Sequence, residues 1–362
     1  MFHWIIQNAV VASLLAVIVV LICRANWFSA AGRHALWLVV LIKLITPPIV
    51  VLPWAIPMDL DHLTSPPITT IAATPDRTYC VVSVNGFGLD PYIHAFLWIV
   101  MMGGFIIGTI QVKRVMDMYR RIKRGRTPSI ELLGQIGLIA GRLGVRPPLT
   151  LCVDDIASPL TFSMGSPRLL LPCTAIDQLD QRGLQAVLAH ELAHLRRGDH
   201  LFGWLELAAM CIWWWCPLFW IVRQELRKNA ELACDAWAVS LFPDRRRVFA
   251  EAIIDICQRA SRLPIPAFAA SLVGSRRAEM EARIISIVRD AAGGKLQTSA
   301  LLLACILAVI SLPGWFVNRD AIDDMPARVE VVQVLSRETD GHPAHSPSQV
   351  CDPIPKSFLG RV

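Results

Sequence analysis

His190-Glu191-Leu192-Ala193-His194 reads H-E-x-x-H, and its neighbours Ala186, Val187, Leu188, Ala189 and Leu195 are apolar, as a buried helix requires. Residues four apart share one helix face, so both imidazoles can point at one metal ion while Glu191 stands beside the metal's open position. Histidines on an apolar face are often only packing residues. The glutamate between them and the i,i+4 spacing favour a zinc hydrolase signature over that reading.

Working outward, Leu201 to Val222 is twenty-two mostly apolar residues that hydropathy alone would make a membrane span. A crossing here would invert every later loop and put Arg276, Arg277, Arg283 and Arg289 outside. Glu206, the run Trp213-Trp214-Trp215-Cys216 and Pro217, which suits the start of a second helix, predict instead a helical hairpin over 201–222. Its tryptophan-rich tip would dip into the inner membrane interface. Such a hairpin returns the chain to Glu231 and Asp235, four apart on one face among Leu232, Ala233 and Ala236. Glu231 would complete a His₂Glu metal site, with Asp235 holding a ligand histidine by its other ring nitrogen. His200 is the rival third ligand. The pattern that uses a histidine six residues on needs Gly where Arg197 stands, which favours Glu231.

Ahead of the motif, Ile130 to Leu143 has helical periodicity and ends at Gly144. Leu149 to Val153, Leu160 to Ser163 and Leu169 to Leu171 are short apolar runs that read as a small sheet. A protease that cuts extended polypeptide binds it along an exposed edge strand, and Thr161, Phe162, Ser163 and Met164 are the candidate edge; a plain core strand is the alternative.

The chain is 362 residues, 54% hydrophobic and only 18% charged, with a mean hydropathy of +0.48. The excess falls in runs. Spans are expected at about 4–23, 35–52, 93–112 and 298–317, with a loop at 53–92 between the second and third. A cleaved leader is the other reading of the first run, but no cation precedes it, whereas Arg24 and Arg33 follow. The 53–92 loop is acidic, and Lys113, Arg114, Arg120, Arg121, Lys123, Arg124 and Arg126 follow the third span. From Lys113 to Gln297 there are 26 Lys and Arg against 18 Asp and Glu, a net +8 that exceeds the whole chain's +6. By the positive-inside rule the 113–297 domain is expected to be cytoplasmic and both termini outside. The basic excess beside the membrane exits suits anionic lipid, so no direct nucleic-acid binding is expected. Lys43, deep in the second span, is a candidate for coupling.

Of ten cysteines, those in the inside domain, Cys152 included, are expected as thiols. Cys80 and Cys351 fall outside and could pair, the alternative being two free thiols. The tail 318–362, rich in Pro, Ser and His, is expected to be disordered.

Ser158-Pro159-Leu160 through Leu171-Pro172, His190 through Asp199, Cys216-Pro217-Leu218 with Trp220, and Glu231 through Asp235 together carry a family resemblance. With three spans before the domain and one after, the chain resembles the BlaR/MecR-type integral-membrane zinc metallopeptidases, the antirepressors of β-lactam resistance systems. The resemblance covers roughly residues 1 to 317. It implies a mainly α membrane protein, four transmembrane helices plus an α+β gluzincin-like cytoplasmic zinc metalloprotease domain. It also implies one Zn²⁺ on His190, His194 and Glu231, Glu191 as catalytic base, and cleavage of a cytoplasmic repressor or of the chain itself. The β-lactam sensors carry a penicillin-binding domain after the fourth span; here about 45 residues remain without an S-x-x-K motif, so antibiotic acylation by this chain is not expected. All three tyrosines precede the catalytic region, which leaves His200, Arg227 or Asn229 as candidate oxyanion donors. The partners expected are the lipid bilayer and a protein substrate such as a DNA-binding repressor, with a homodimer left open. A membrane quality-control zinc protease and a non-proteolytic receptor or scaffold are the alternative functions.

Overall fold

A computed structural model describes residues 2–25, 27–46, 51–57, 90–153, 156, 158–172, 179–261, 270–289, 296–312 and 314–317. The loop from 58 to 89, the tail 318–362 and the Cys80–Cys351 pairing lie outside the described residues. Contacts divide the chain into Met1–Pro53 with Phe96–Trp315 and Trp54–Ala95 with Phe316–Val362, and the site residues all belong to the first unit.

The protein is mostly helical with a small sheet. Helices α1 (Phe2–Arg24) and α3 (Asp90–Lys123) are long and apolar enough to cross a membrane, and among the described residues no other helix is. The other two expected spans correspond to shorter helices. The segment 35–52 is helix α2 (Ala30–Ile45), 16 residues long, followed by strand β1 (Val51–Pro57). It stops before Pro47-Pro48, which have no N–H to continue a helix. The segment 298–317 is helix α10 (Thr298–Ser311), 14 residues, then strand β5 (Gly314–Val317) beyond Pro313. Neither helix has the roughly 20 residues that cross a hydrocarbon core unaided. Helix α3 continues from the apolar stretch expected at 93–112 through the basic run as far as Lys123 without a break.

Helix α4 (Ile130–Leu143) starts at Ser129, whose Oγ accepts from Leu132 N–H, and ends at Gly144 as the sequence predicts. Strands β2 (Leu149–Cys152), β3 (Leu160–Met164) and β4 (Ser166–Leu171) form a sheet in the order β2-β4-β3. β2 runs parallel to β4, and β3 antiparallel to it, so β3 is an edge strand. Cys152 is disulfide-bonded rather than the expected thiol.

Next come α5 (Gln181–Arg197), α6 (Asp199–Trp213), α7 (Pro217–Leu241), α8 (Arg246–Ser261) and α9 (Ala270–Val288). The predicted hairpin is α6 with the first half of α7, and its tip makes several contacts with other helices. Trp213, Cys216 and Phe219 share a core with Leu15 of α1 and Trp37 and Leu41 of α2. Trp214 Nε1 donates to the Val100 carbonyl at 3.2 Å, and Trp215 meets the Phe96 ring edge-on at 5.3 Å. Two glycines of α3 permit this approach. A Cβ at Gly103 would run into the Trp214 ring, and one at Gly104 into the Cys211 carbonyl. Glu206, the anion inside the hairpin, is neutralised by Arg223 at 3.3 Å and Arg227 at 3.1 Å.

A second core joins α4, β4, α5, α8 and α9 through Ile136, Leu169, Leu188, Leu192, Phe249 and Ile287. Helix α7 belongs to both. Phe219, Val222 and Leu226 lie in the first core, Ala238 and Val239 in the second, and Glu231 and Asp235 fall between them.

Candidate metal centre

Helix α5 is capped at its start by Asp180, whose Oδ1 accepts from Gly183 N–H at 3.0 Å. It ends at Gly198, with φ +74, a left-handed conformation that side-chain-bearing residues rarely adopt. Between these caps, His190 and His194 present their Nε2 atoms to one another at 3.3 Å with ring planes 86° apart. Helix α7 brings Glu231 to the same point. Its Oε2 lies 3.5 Å from His190 Nε2, and its Oε1 lies 3.6 Å from His194 Nε2. Bonds of about 2.0–2.1 Å around a tetrahedral ion imply ligand atoms about 3.3–3.4 Å apart. The two histidine nitrogens meet that spacing, and one ligand atom from each of the three residues lies within 4.8 Å of the others, so donor type and proximity suit a zinc ion.

Each histidine is held from behind. His190 Nδ1 lies 2.8 Å from Asp235 Oδ1, the partner expected from the i,i+4 pair, at ion-pair distance but without the alignment of a hydrogen bond. His194 Nδ1 lies 2.7 Å from Asp199 Oδ2, which the sequence reading did not assign. A carboxylate on Nδ1 selects the tautomer that leaves Nε2 free for a metal. Asp199 in turn accepts from Arg197 Nε at 3.2 Å, and Cys234 Sγ lies 3.3 Å from His194 Nδ1. The other unassigned residue is Arg283 of α9. Its Nη1 is 2.8 Å from Glu231 Oε2, and its Nε and Nη2 each donate to an Asp235 oxygen at 2.8 Å. A carboxylate just past a helix-ending glycine was a signal for Asp199. No local signal marks Arg283, 52 residues after Glu231.

Burial and these contacts set the charges. Burial opposes the charged form of His190, but Asp235 and Glu231 outweigh it and push the pKa up to about 10. Burial raises Glu231, and Arg283 with the two histidines more than offsets this, holding it well below the usual carboxylate range. Asp235 is likewise lowered, against burial, by Arg283 and His190. Asp199 is drawn down to about 2 because its bond from His194 and the charge of Arg197 outweigh desolvation. Burial and the adjacent Asp199 raise the Cys234 thiol, which stays neutral.

The remaining candidates separate. Glu191 is buried beside His190, and its main-chain carbonyl accepts from Thr161 Oγ1 at 3.5 Å, which lays β3 against the metal helix. The Ser163 carbonyl accepts from Trp204 Nε1 at 2.9 Å, so Thr161, Phe162, Ser163 and Met164 form an edge pinned between α5 and α6. His200 does not join the trio. The helix continues through Arg197, so His200 falls on α6, with its Nδ1 buried and unpaired among the described residues. Arg227, expected as an oxyanion donor, is engaged by Glu206, and Asn229 donates to the Glu225 carbonyl at 2.7 Å. The guanidinium at the trio is that of Arg283.

Residues 4–287 match the family profile of the BlaR1 peptidase M56. The chain belongs to that family. This M56 peptidase is 29% identical to the regulatory protein BlaR1 of Bacillus licheniformis over 161 residues, 43% of this chain and 26% of the relative. It is 23% identical to the methicillin resistance mecR1 protein of Staphylococcus aureus over 82 residues, 23% of this chain and 14% of the relative. The mecR1 protein of Staphylococcus epidermidis matches equally. The matched stretches thus span about a quarter or less of the length of these curated relatives.

Proposed function

We propose that this M56 peptidase is a membrane-embedded zinc endopeptidase of transmembrane signalling, which cleaves a cytoplasmic repressor, itself or both. The observation that carries the reading is the trio His190, His194 and Glu231, whose ligand atoms lie within 4.8 Å of one another with Glu191 beside it. When bound, zinc would polarise the scissile carbonyl and acidify a water. Glu191 accepts the proton of the attacking water and passes it to the leaving amine. The substrate lies extended along β3, at Thr161 to Met164, where its backbone adds to the sheet edge.

Helices α1, α2, α3 and α10 together anchor the chain in a bacterial inner membrane, α2 and α10 crossing with the help of their flanking segments. The domain faces the cytoplasm, an orientation taken from the net +8 between Lys113 and Gln297. The names of the matched relatives, a regulatory and a resistance protein, support a signalling role.

The test is metal content and proteolysis of the purified full-length protein. Wild type should hold one zinc and cleave either its own chain or a co-purified repressor. Glu191→Ala should keep the zinc and lose cleavage, and cleavage retained by that variant would overturn the mechanism.

A further inference from the structure

We propose that Arg283 is the positioning residue of the metal centre, holding Glu231 as a one-oxygen ligand and Asp235 against His190. The proposal rests on the zinc reading above. One guanidinium reaches two carboxylates of the same helix. Nη1 takes Glu231 Oε2, and the Nε and Nη2 edge takes both oxygens of Asp235, all at 2.8 Å. Glu231 and Asp235 are a like-charged i,i+4 pair in a poorly hydrated place, an arrangement that repels itself without a cation between. Only a planar fork can bridge them with aligned hydrogen bonds, because a lysine ammonium supplies one point charge.

The consequence for the ligand is geometric. With Oε2 occupied by Arg283, Glu231 keeps Oε1 for the ion, 3.6 Å from His194 Nε2. The same guanidinium stands 3.5 Å from His190 Nε2, so it borders the metal position and lies beyond the trio. Both ligand histidines thus end in an arginine, His190 through Asp235 to Arg283 and His194 through Asp199 to Arg197. Arg197 sits on the metal helix itself, whereas Arg283 arrives from α9, so Arg283 is the contact that depends on tertiary assembly. Charge agrees: the four carboxylates of Glu191, Asp199, Glu231 and Asp235 are balanced by two guanidinium ions and a divalent cation.

The experiment uses full-length protein in detergent, stripped of metal and titrated with Zn²⁺ against a chromophoric chelator, with Co²⁺ as the spectroscopic probe. Arg283→Ala should weaken zinc 10–100-fold and change the cobalt visible bands, and Arg283→Lys should recover only part of the loss. Millimolar guanidinium, but not equal sodium chloride, should restore affinity to Arg283→Ala, a rescue that a general packing defect would not show. Should the alanine variant fail to fold, the lysine variant decides alone. A folded lysine variant with wild-type affinity and an unchanged cobalt spectrum overturns the proposal, as does an alanine variant that binds zinc more tightly. Wild type that binds no zinc would instead overturn the underlying metal reading.

Discussion

His194 Nδ1 and Asp199 Oδ2 lie 2.7 Å apart because the chain reverses at a single left-handed residue, Gly198, between two helices. The reversal turns the first residue of α6 back on the last turn of α5. Asp199→Ala should therefore free the His194 ring and weaken zinc 10–100-fold, read by chelator competition. Gly198→Ala should cost about 1 kcal/mol or more in unfolding and also weaken the metal, because it strains that turn.

Asp199 has a folded pKa of about 2, against an ordinary value of 3.8. A depressed carboxylate stabilises the fold above its unfolded pKa, and that stability is lost as pH falls through the folded one. The shift corresponds to about 2 kcal/mol in the metal-free protein. Acid titration by circular dichroism should show wild type more stable than Asp199→Asn at pH 6, with the difference closing between about pH 4 and pH 2.

His190 lies on the other side of the same logic. Its raised pKa of about 10 means that the metal-free protein carries a proton there at neutral pH, which any metal must displace. Calorimetric zinc titrations in buffers of different ionisation enthalpy should report about one proton released by His190, and Asp235→Asn should reduce that release.

Glu206 is buried inside the hairpin and accepts from both Arg223 and Arg227. Its replacement by Leu leaves Arg223 without that partner in a half-buried position, at a cost of about 1–3 kcal/mol. Arg227, more than half exposed, should contribute little to that figure. Thermal unfolding should fall accordingly while zinc stoichiometry stays at one.

The redox state of Cys152 in cells tests the proposed orientation. If the domain faces a reducing cytoplasm, alkylation of intact cells before lysis should find Cys152 as a thiol despite the bond it makes here. Recovery of the disulfide under those conditions would place the sheet on the oxidising side and reverse the charge-based assignment.

What the sequence revealed of the site was whatever repeats on a helical period. His190 with His194 and Glu231 with Asp235 are both i,i+4 pairs, and each pair could be placed on one face before any fold was known. The Gly144 and Gly198 ends and the strand at Leu160 were legible from local chemistry in the same way. Arg283 was not, because it meets Glu231 only after α8 and α9 fold back on α7. The packing of the hairpin tip was not legible for a related reason. Hydropathy reports the residues of one segment, while Trp214 is seated by Gly103 and Val100 of another. At 35–52 and 298–317 the helices are shorter than the apolar runs, because those runs continue past prolines near which the helices end.

Helix α7 runs unbroken for 25 residues, from Phe219 packed with α1 and α2 to Glu231 at the metal and Val239 in the second core. Twelve residues of helix between Phe219 and Glu231 span about 18 Å. A tilt of about 5° at the Phe219 end would carry the third ligand roughly 1.5 Å, and a displacement of about 1 Å can cost a catalytic constellation a hundredfold in rate. Because α7 is continuous, a change in how its start packs in the apolar bundle would be felt at the candidate metal centre.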